Sequence, residues 1–425
     1  MREAMPDFDP IAAADELGGA TTVLFQRFDL MTRRPTRTVM GLEVEIVDGA
    51  GDFAGALRAG LGRSGGEAAA PGLVLVFAGF ETLLGKRTDD TAGLPGHLVA
   101  RISEGFDIDH ATGTVGLISA DEPALRRRLR ALPPADARPS DRALRADLSD
   151  WTADRGFNDY ASRVETIKRV IAAGGAEGAV LSLGLSKTTE ASPFTLYREF
   201  VAANPSPYGF VLKHDGKALV GSSPLAYLTI RQGRLHLETD AGTRPVTGDA
   251  GRDDAAARDL MVNPKDAAEH RVVVEAEREA LLPIARDGAV EAVIDRQVRR
   301  FSHVMHLYSA LEAELADGRD TADAILALAP AAAVSGRPKR AAAELGLAQE
   351  GGARGPYGGV IGIVEPDCAD LAVVIRSLWI SQGRAALRVG GKIVATSTAE
   401  EEYREALSKA RFLIDGVARA EARGR

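Results

Sequence analysis

The sequence is poor in cysteine, in long apolar runs and in positive charge, and each shortage excludes a class of protein. Its 425 residues include one cysteine, Cys368, so no internal disulfide can form and a reducing compartment is expected. No apolar run approaches the roughly 20 residues that cross a bilayer. The acidic start MREAMPDFDPIAAADELGG lacks the apolar segment of a signal peptide. A net charge of -8 opposes nucleic-acid binding. We therefore expect a cytoplasmic protein with no membrane or nucleic-acid partner.

The composition, 45% hydrophobic and 26% charged, suffices for a large buried core. Short apolar strands separated by Gly- and Asp-rich turns fill an N-terminal α+β region, residues 1–150, in which a Pro-, Arg- and Asp-rich stretch at 132–147 predicts an exposed connection. Residues 151–425 form a second domain, where strands and helices come in runs rather than in strict alternation. That order predicts an α+β fold with large antiparallel β-sheets.

Two pairs of acidic residues have helical spacing. Asp266 and Glu269 lie three residues apart in PKDAAEH, and Glu402 and Glu405 lie three apart in EEEYREA. On helices, each pair would share one face. Two such helices facing each other would offer four carboxylates, the ligands that Mg²⁺ prefers. Acidic residues on helices are more often solvated surface, so spacing alone leaves both interpretations open.

Three further features are compatible with a binding site. His306 lies in the apolar segment RFSHVMHLYSA, where a hydrogen-bonded core histidine is the commoner explanation. Arg376 in DLAVVIRSLWI predicts a buried strand with an arginine in its middle, which requires an anion from a ligand or from an acidic side chain. Glycines in RGPYGG (354–359) and RVGGKIV (388–394) would let backbone N–H groups approach a ligand, but neither segment is a nucleotide-binding motif.

Taken in order, several segments resemble the family of anthranilate synthase large subunits, aminodeoxychorismate synthases, isochorismate synthases and salicylate synthases. The resemblance covers about residues 155–420 and is loose before them. Its segments are NPSPYGF (204–210), GSSP (221–224), AGTRP (241–245), PKDAAEH (264–270), FSHVMH (301–306), VSGRPKRA (334–341), RGPYGG (354–359), VVIRS (373–377) and EEYREALSKA (401–410). It implies two large antiparallel β-sheets flanked by helices, with residues 151–425 as a chorismate-binding catalytic domain.

The resemblance also implies roles for individual residues. Mg²⁺ would be bound by Glu269 and Glu402, supported by Asp266 and Glu405, and would act as a Lewis acid on the ring. The remaining positions match those that contact the substrate in the family. The enolpyruvyl carboxylate would be held by Tyr357, Arg376 and Lys409, His306 would lie near the departing groups, Thr243 would lie in a substrate-contacting turn, and Gly390 and Gly391 would belong to a carboxylate-binding turn.

Four positions depart from the family pattern. The lysine that acts as general base is replaced by Gly178, and the glutamate that acts as general acid is replaced by Leu225. A threonine before the VSG-like segment is replaced by Ala333. The second glycine of a Gly-x-Gly turn is replaced by Lys392, which places a cation where a proton donor or a clamp could act.

These replacements leave three interpretations of function. The first is changed chemistry, lyase- or isomerase-like, on chorismate, isochorismate or an amino analogue in a specialised aromatic pathway. It needs a held conformation and carboxylate clamps more than proton transfer. The second is conventional anthranilate or aminodeoxychorismate synthase activity. The third is a non-catalytic homologue that binds a metabolite or a partner. The four retained acidic positions oppose the third.

The partners follow from the same comparison with the family. The chain contains no glutaminase-like segment, so amination would use free ammonia or a separate glutaminase subunit. It also lacks the LLES-like segment with which anthranilate synthases bind tryptophan, which favours a specialised route. Monomer and homodimer both agree with the sequence.

Overall fold

The computed structural model describes residues 3–4, 8–47, 52–62, 73–86, 94–132, 144–300 and 304–423. Most of the connection predicted at 132–147 lies outside these ranges. Within them the helices are α1 (Pro10–Leu17), α2 (Phe53–Gly60), α3 (Phe80–Leu83), α4 (Glu122–Arg130), α5 (Phe157–Ala172), α6 (Pro193–Ala203), α7 (Ala250–Val262), α8 (Pro264–Leu281), α9 (Thr321–Leu328), α10 (Lys339–Glu350) and α11 (Ala399–Arg423).

The strands of the described ranges alternate with these helices in runs. They are β1 (Glu3–Ala4), β2 (Thr21–Phe28), β3 (Pro35–Ile46), β4 (Val74–Ala78), β5 (His97–Asp109), β6 (Thr114–Ile118), β7 (Thr152–Ala153), β8 (Gly178–Thr188), β9 (Tyr208–His214), β10 (Lys217–Ser223), β11 (Ala226–Arg231), β12 (Arg234–Pro245), β13 (Glu291–Arg300), β14 (Val304–Glu314), β15 (Gly336–Arg337), β16 (Val360–Glu365), β17 (Cys368–Val373), β18 (Ser377–Ser381) and β19 (Arg384–Ile393).

The strands pair antiparallel in two large sheets that meet at β5. The first sheet has the order β6–β5–β3–β2–β9–β10–β18–β19–β8, with β1 on β6 and with β7 and β15 on β8. The second sheet has the order β4–β16–β17–β11–β12–β14–β13, and β4 also pairs with β5. Strands from the first 150 residues therefore hydrogen-bond to strands of the second domain in both sheets.

Three apolar clusters separate the structure into layers. One cluster lies between the two sheets and includes Phe77, Phe210 and Ile361. A second covers the outer face of the first sheet, where α5 and α11 pack on β8 and β19, and α6 packs on β9 and β10. A third covers the outer face of the second sheet under α2 and α9. Burial of these faces is the main stabilising contribution, about 25 cal/mol per Å² of apolar surface. The predicted α+β fold of two antiparallel sheets flanked by helices is confirmed.

No helix of the described residues is long and apolar enough to cross a membrane.

Candidate active site

A cavity of about 320 Å³ lies where the β8–β19 end of the first sheet approaches the β12–β14 end of the second. Helices α8 and α11 begin at its edge. The cavity brings together all twelve site residues named from the sequence, which are His306, Lys392, Thr243, Tyr357, Arg376, Gly390, Gly391, Lys409, Asp266, Glu269, Glu402 and Glu405. Residues separated by up to 166 positions in the chain thus line one space.

The acidic side of the cavity comes from the first two turns of α8 and α11. Asp266 accepts a hydrogen bond from Arg244 at 2.6 Å, and Glu402 accepts one from the Ser397 hydroxyl at 2.7 Å. Glu405 forms an ion pair with Lys409 at 2.6 Å. Carboxylates at helix N-termini are favoured by the helix dipole, which helps to hold this much negative charge at one place.

The four carboxylates have the donor chemistry of a magnesium site. Burial raises the pKa of Glu402 to about 7, and the charges of Glu405 and Glu269 raise it further while Ser397 and Lys409 oppose the shift. Carboxylates that repel one another in this way would be relieved by a divalent cation. In the described ranges, no three Asp, Glu, His or Cys side chains are already grouped as a metal-binding set. The residues therefore fit Mg²⁺ by chemistry, without a complete coordination sphere.

Glycine is required where α11 meets β19. A Cβ atom added to Gly391 would lie 2.5 Å from Oε2 of Glu402, so a side chain at this position would displace the carboxylate. Gly242 has φ +74° at a bulge of β12, and its Cβ atom would lie 3.0 Å from Asp266. The two helices that carry the acidic residues, α8 and α11, therefore each approach a sheet at a glycine.

The cationic side of the cavity contains Arg376 and Lys409. Arg376 lies in the connection between β17 and β18 with φ 51°, so the prediction of a single strand through it was wrong. Its guanidinium donates a 3.4 Å hydrogen bond to the Lys409 carbonyl, and no carboxylate of the described residues forms an ion pair with it. Burial lowers the pKa of Arg376. A buried guanidinium in this state requires an anion, and an anionic ligand in the cavity would supply it.

Tyr357 and Lys409 complete this wall. Lys409 Nζ donates to the Gly390 carbonyl at 2.9 Å, which fixes the ammonium beside strand β19. Tyr357 is buried, and a Cβ atom on Gly390 would lie 3.1 Å from its hydroxyl oxygen. Burial raises the pKa of Tyr357 to about 12, so its hydroxyl stays protonated and can donate a hydrogen bond. A ligand carboxylate would meet two cations and a hydroxyl here.

His306 and Thr243 face each other across β12 and β14. His306 Nδ1 lies 3.1 Å from the Gly242 carbonyl and 3.0 Å from the Thr243 hydroxyl. A carbonyl oxygen only accepts, so Nδ1 carries the proton and Nε2 has the lone pair. Burial lowers the pKa of His306 to about 4, which keeps the imidazole neutral at pH 7.

The positions that depart from the family pattern also line or adjoin the cavity. Leu225 and Ala333 lie in its wall and carry no ionisable group. Gly178 is the first residue of β8, and its added Cβ atom would lie 3.4 Å from Cγ of Lys392 on the neighbouring β19. The aliphatic part of Lys392 therefore lies in van der Waals contact with the place of a side chain at 178. Burial lowers the pKa of Lys392 to about 8, although Glu269 and Glu277 partly offset the shift.

Three other charged residues of the cavity wall were not predicted as site residues from the sequence. Arg388 bonds to Ser182 and Asp154, and Arg244 holds Asp259 and Asp266. Asp240 on β12 also lines the cavity. A signal was present in LETDAGTRP, because a charged residue directly before an Ala-Gly turn interrupts a strand that is otherwise half buried.

Comparisons with known proteins define the class. A sequence profile described as chorismate binding enzyme matches residues 60–415. Anthranilate synthase component 1 of Streptomyces coelicolor is 35% identical over 403 residues, which cover 88% of this chain and 78% of that protein. The protein of the same name from Thermus thermophilus is 34% identical over 353 residues, covering 81% and 75%. The chain therefore belongs to the family of chorismate binding enzymes, as the resemblance predicted.

Solved structures agree on the fold. MenF, the menaquinone-specific isochorismate synthase of Escherichia coli, superposes with a TM-score of 0.80 at 20% identity, covering 98% of this chain and 93% of that one. Anthranilate synthase component I from Streptococcus pneumoniae gives a TM-score of 0.76 at 24% identity, covering 97% and 99%. These two likenesses establish the fold.

Proposed function

We propose that the chain is a magnesium-dependent enzyme that releases pyruvate from a chorismate-derived ring, isochorismate or its amino analogue, in a specialised aromatic pathway. One observation supports this most strongly. The cavity keeps its anion-binding residues and its four carboxylates, whereas positions 178 and 225 carry Gly and Leu, which cannot transfer protons. General acid or base catalysis contributes about 10²–10⁴-fold, so chemistry that depends on those two positions is disfavoured.

The anion-binding wall determines how the substrate lies. Arg376 lacks an ion-pair partner among the described residues, and Tyr357 and Lys409 lie beside it in the same wall. We assign these three to the enolpyruvyl carboxylate. The clamp holds the enolpyruvyl side chain over the ring. The ring hydrogen that is transferred in the reaction then lies close to the departing pyruvate. Positioning of this kind contributes most of the catalysis in a reaction without proton exchange.

Glu269 and Glu402, supported by Asp266 and Glu405, would hold Mg²⁺ in the same cavity. When bound, the ion supplies Lewis-acid stabilisation of negative charge on a substrate carboxylate. Thr243 and His306 then complete the site, because Nε2 of the neutral imidazole can accept a hydrogen bond from a ring hydroxyl or ammonium. Lys392 is assigned to a second substrate carboxylate, next to Gly390 and Gly391 on the same strand.

A second candidate is a conventional synthase that adds ammonia to chorismate. The similarity to anthranilate synthase component 1, 35% identity over 88% of the chain, favours it. The ammonium of Lys392 beside the vacated position 178 also favours it, since this lysine could take part in proton transfer. In that case the chain would use free ammonia or a separate glutaminase subunit.

The test is turnover of chorismate, isochorismate and an aminated analogue, with and without Mg²⁺, followed by mass spectrometry for pyruvate and aromatic products. We expect pyruvate from at least one substrate, lost with a chelator and with Glu269→Gln. The matched control is Glu279→Gln, because Glu279 lies on the same helix and pairs with Arg337 outside the cavity. If none of the three substrates reacts while one still binds, the chain is a binding protein and the proposal fails.

A further inference from the structure

Asp240 lies in the cavity wall on the strand next to the position of Leu225. Strands β11 and β12 pair antiparallel, with Thr229 opposite His236. The paired register ends at these two residues, and β11 has an irregularity between Ala226 and Leu228. Asp240 and Leu225 nevertheless both line the cavity. The cavity wall that contains the apolar position 225 therefore also carries a carboxyl group.

The carboxyl group of Asp240 has no partner in the part of the chain that the structure describes. Its Oδ1 atom is buried and accepts no hydrogen bond. The guanidinium that acts on it most, Arg299, is already bound to Glu238 at 2.7 Å and lies 3.2 Å from the ring centre of Tyr308. Unsatisfied buried polar atoms are rare and need an explanation, and a ligand in the cavity provides one.

The surroundings also keep a proton on this group. Burial raises the pKa of Asp240 to about 7, Arg299 opposes the shift, and Glu238 adds to it. Two other side chains contact Glu238 and not the carboxyl group of Asp240. His236 forms an ion pair with Glu238, and the Tyr308 hydroxyl donates a hydrogen bond to it. A substantial fraction of Asp240 is therefore protonated at neutral pH, as a proton donor must be.

We infer that Asp240 donates the proton to the hydroxyl group that leaves the chorismate ring when ammonia adds to it. This inference rests on the proposed function in that the cavity must hold a chorismate-type ring. It extends that function from pyruvate release to the preceding substitution. The carboxyl group would have moved from position 225 to position 240 within the lining of the same cavity.

The step balances without a further reagent. The ring C–O bond breaks and its electron pair leaves with oxygen, which takes the Asp240 proton and departs as water. The ring double bonds shift, and ammonia forms the new C–N bond with its lone pair, giving a ring ammonium. Asp240 is left as a carboxylate and regains its proton from solvent.

The two half-reactions separate this role from the proposed function. Ammonia addition to chorismate expels a hydroxyl group and needs the donor, whereas pyruvate release from the amino analogue expels none. Asp240→Asn keeps the shape of the side chain and removes the proton. We expect it to lower ammonia-dependent consumption of chorismate by about 100-fold. Turnover of the amino analogue, which expels no hydroxyl group, should fall by a factor about tenfold smaller. Circular dichroism and urea unfolding show that the variant is folded.

A relocated acid provides the complementary test. Leu225→Glu combined with Asp240→Asn returns a carboxyl group to the neighbouring strand and should recover at least tenfold of the lost rate. Asp317→Asn, whose side chain is 92% exposed, is the control that leaves both reactions unchanged.

The outcomes are distinct. Equal rates for Asp240→Asn and the parent in both half-reactions overturn the inference. If the parent protein turns over the amino analogue but not chorismate with ammonia, the proposed function stands and the inference fails. If the parent protein turns over neither, both fail.

Discussion

At the scale of single residues, the cavity holds groups whose charge the fold opposes. Burial is the main cause that shifts the pKa values of Asp240, Glu402 and Lys392 in favour of their neutral forms. Burial also keeps His306 neutral. Such groups lower stability, because the unfolded chain would hydrate their charges. They cluster at one place, which is typical of a binding or catalytic site rather than of a structural core.

Asp240→Asn is predicted to stabilise the protein in alkaline but not in acidic solution. The pKa of Asp240 is raised from 3.8 to about 7, so between these values the folded state binds more protons than the unfolded state. Stability is therefore lost as pH rises through that window, and asparagine removes the loss. Because the side chain partly faces the cavity, we expect a gain of about 2–4 kcal/mol at pH 8. Urea unfolding at pH 8 and at pH 4 measures it, and equal gains at both values would contradict the assignment.

At the scale of helices and strands, the sequence predicted the acidic helices better than the strands. The i, i+3 spacing of Asp266 with Glu269 and of Glu402 with Glu405 predicted helices that would face each other, and both pairs line the cavity. Spacing on a helix is local, so one sequence suffices to predict it.

Placement on strands depends on pairing between distant segments, and there the sequence was insufficient. Arg376 was assigned to a strand interior, but the chain turns at it with positive φ. Asp240 was overlooked because its meaning depends on β11 beside it, and strand register is not visible in a single segment. The relation of Lys392 to Gly178 was hidden for the same reason, since β8 and β19 are about 200 residues apart in the chain.

The pairing of β8 with β19 predicts the effect of moving a lysine between them. Lys392→Met keeps the aliphatic stem over Gly178 and removes the charge. Loss of a charge-assisted contact of about 1.5–3 kcal/mol should lower kcat/KM about 10- to 100-fold. Gly178→Lys with Lys392→Gly returns the ammonium from the neighbouring strand and should recover part of that loss.

The control for this exchange is Lys187→Met, also on β8, whose ammonium pairs with Glu421 outside the cavity. Steady-state kinetics with the substrate identified by the turnover test decide the matter. If Lys392→Met leaves kcat/KM unchanged, Lys392 only fills the space above Gly178.

At the scale of the whole molecule, one buried arginine connects segments that belong to different layers. Arg354 has no exposed surface, and its guanidinium binds Glu350 at the end of α10. It also donates to the carbonyls of Val180 on β8 and Val334, both in the cavity wall. Its backbone N–H donates to Glu81 of α3, in the first 150 residues. The cavity wall is therefore connected to the N-terminal region through one residue, whose side chain binds the wall and whose backbone N–H binds Glu81.

Arg354→Met should destabilise the whole protein and not only the cavity. It would leave the buried Glu350 with only the 3.8 Å ion pair to Arg388 and the backbone N–H of Ser182, and breaking a buried pair by removing one partner costs about 3–5 kcal/mol. Removing the carboxylate as well, in Arg354→Met with Glu350→Met, should recover most of that loss, because two apolar side chains need no counter-charge. Thermal and urea unfolding of the parent, the single and the double variant measure both effects. A single variant that loses less than about 1 kcal/mol would contradict a stabilising role for Arg354. A double variant no more stable than the single one would mean that the lost hydrogen bonds to the carbonyls of Val180 and Val334, about 1–3 kcal/mol for each buried group left unsatisfied, matter more than the ion pair.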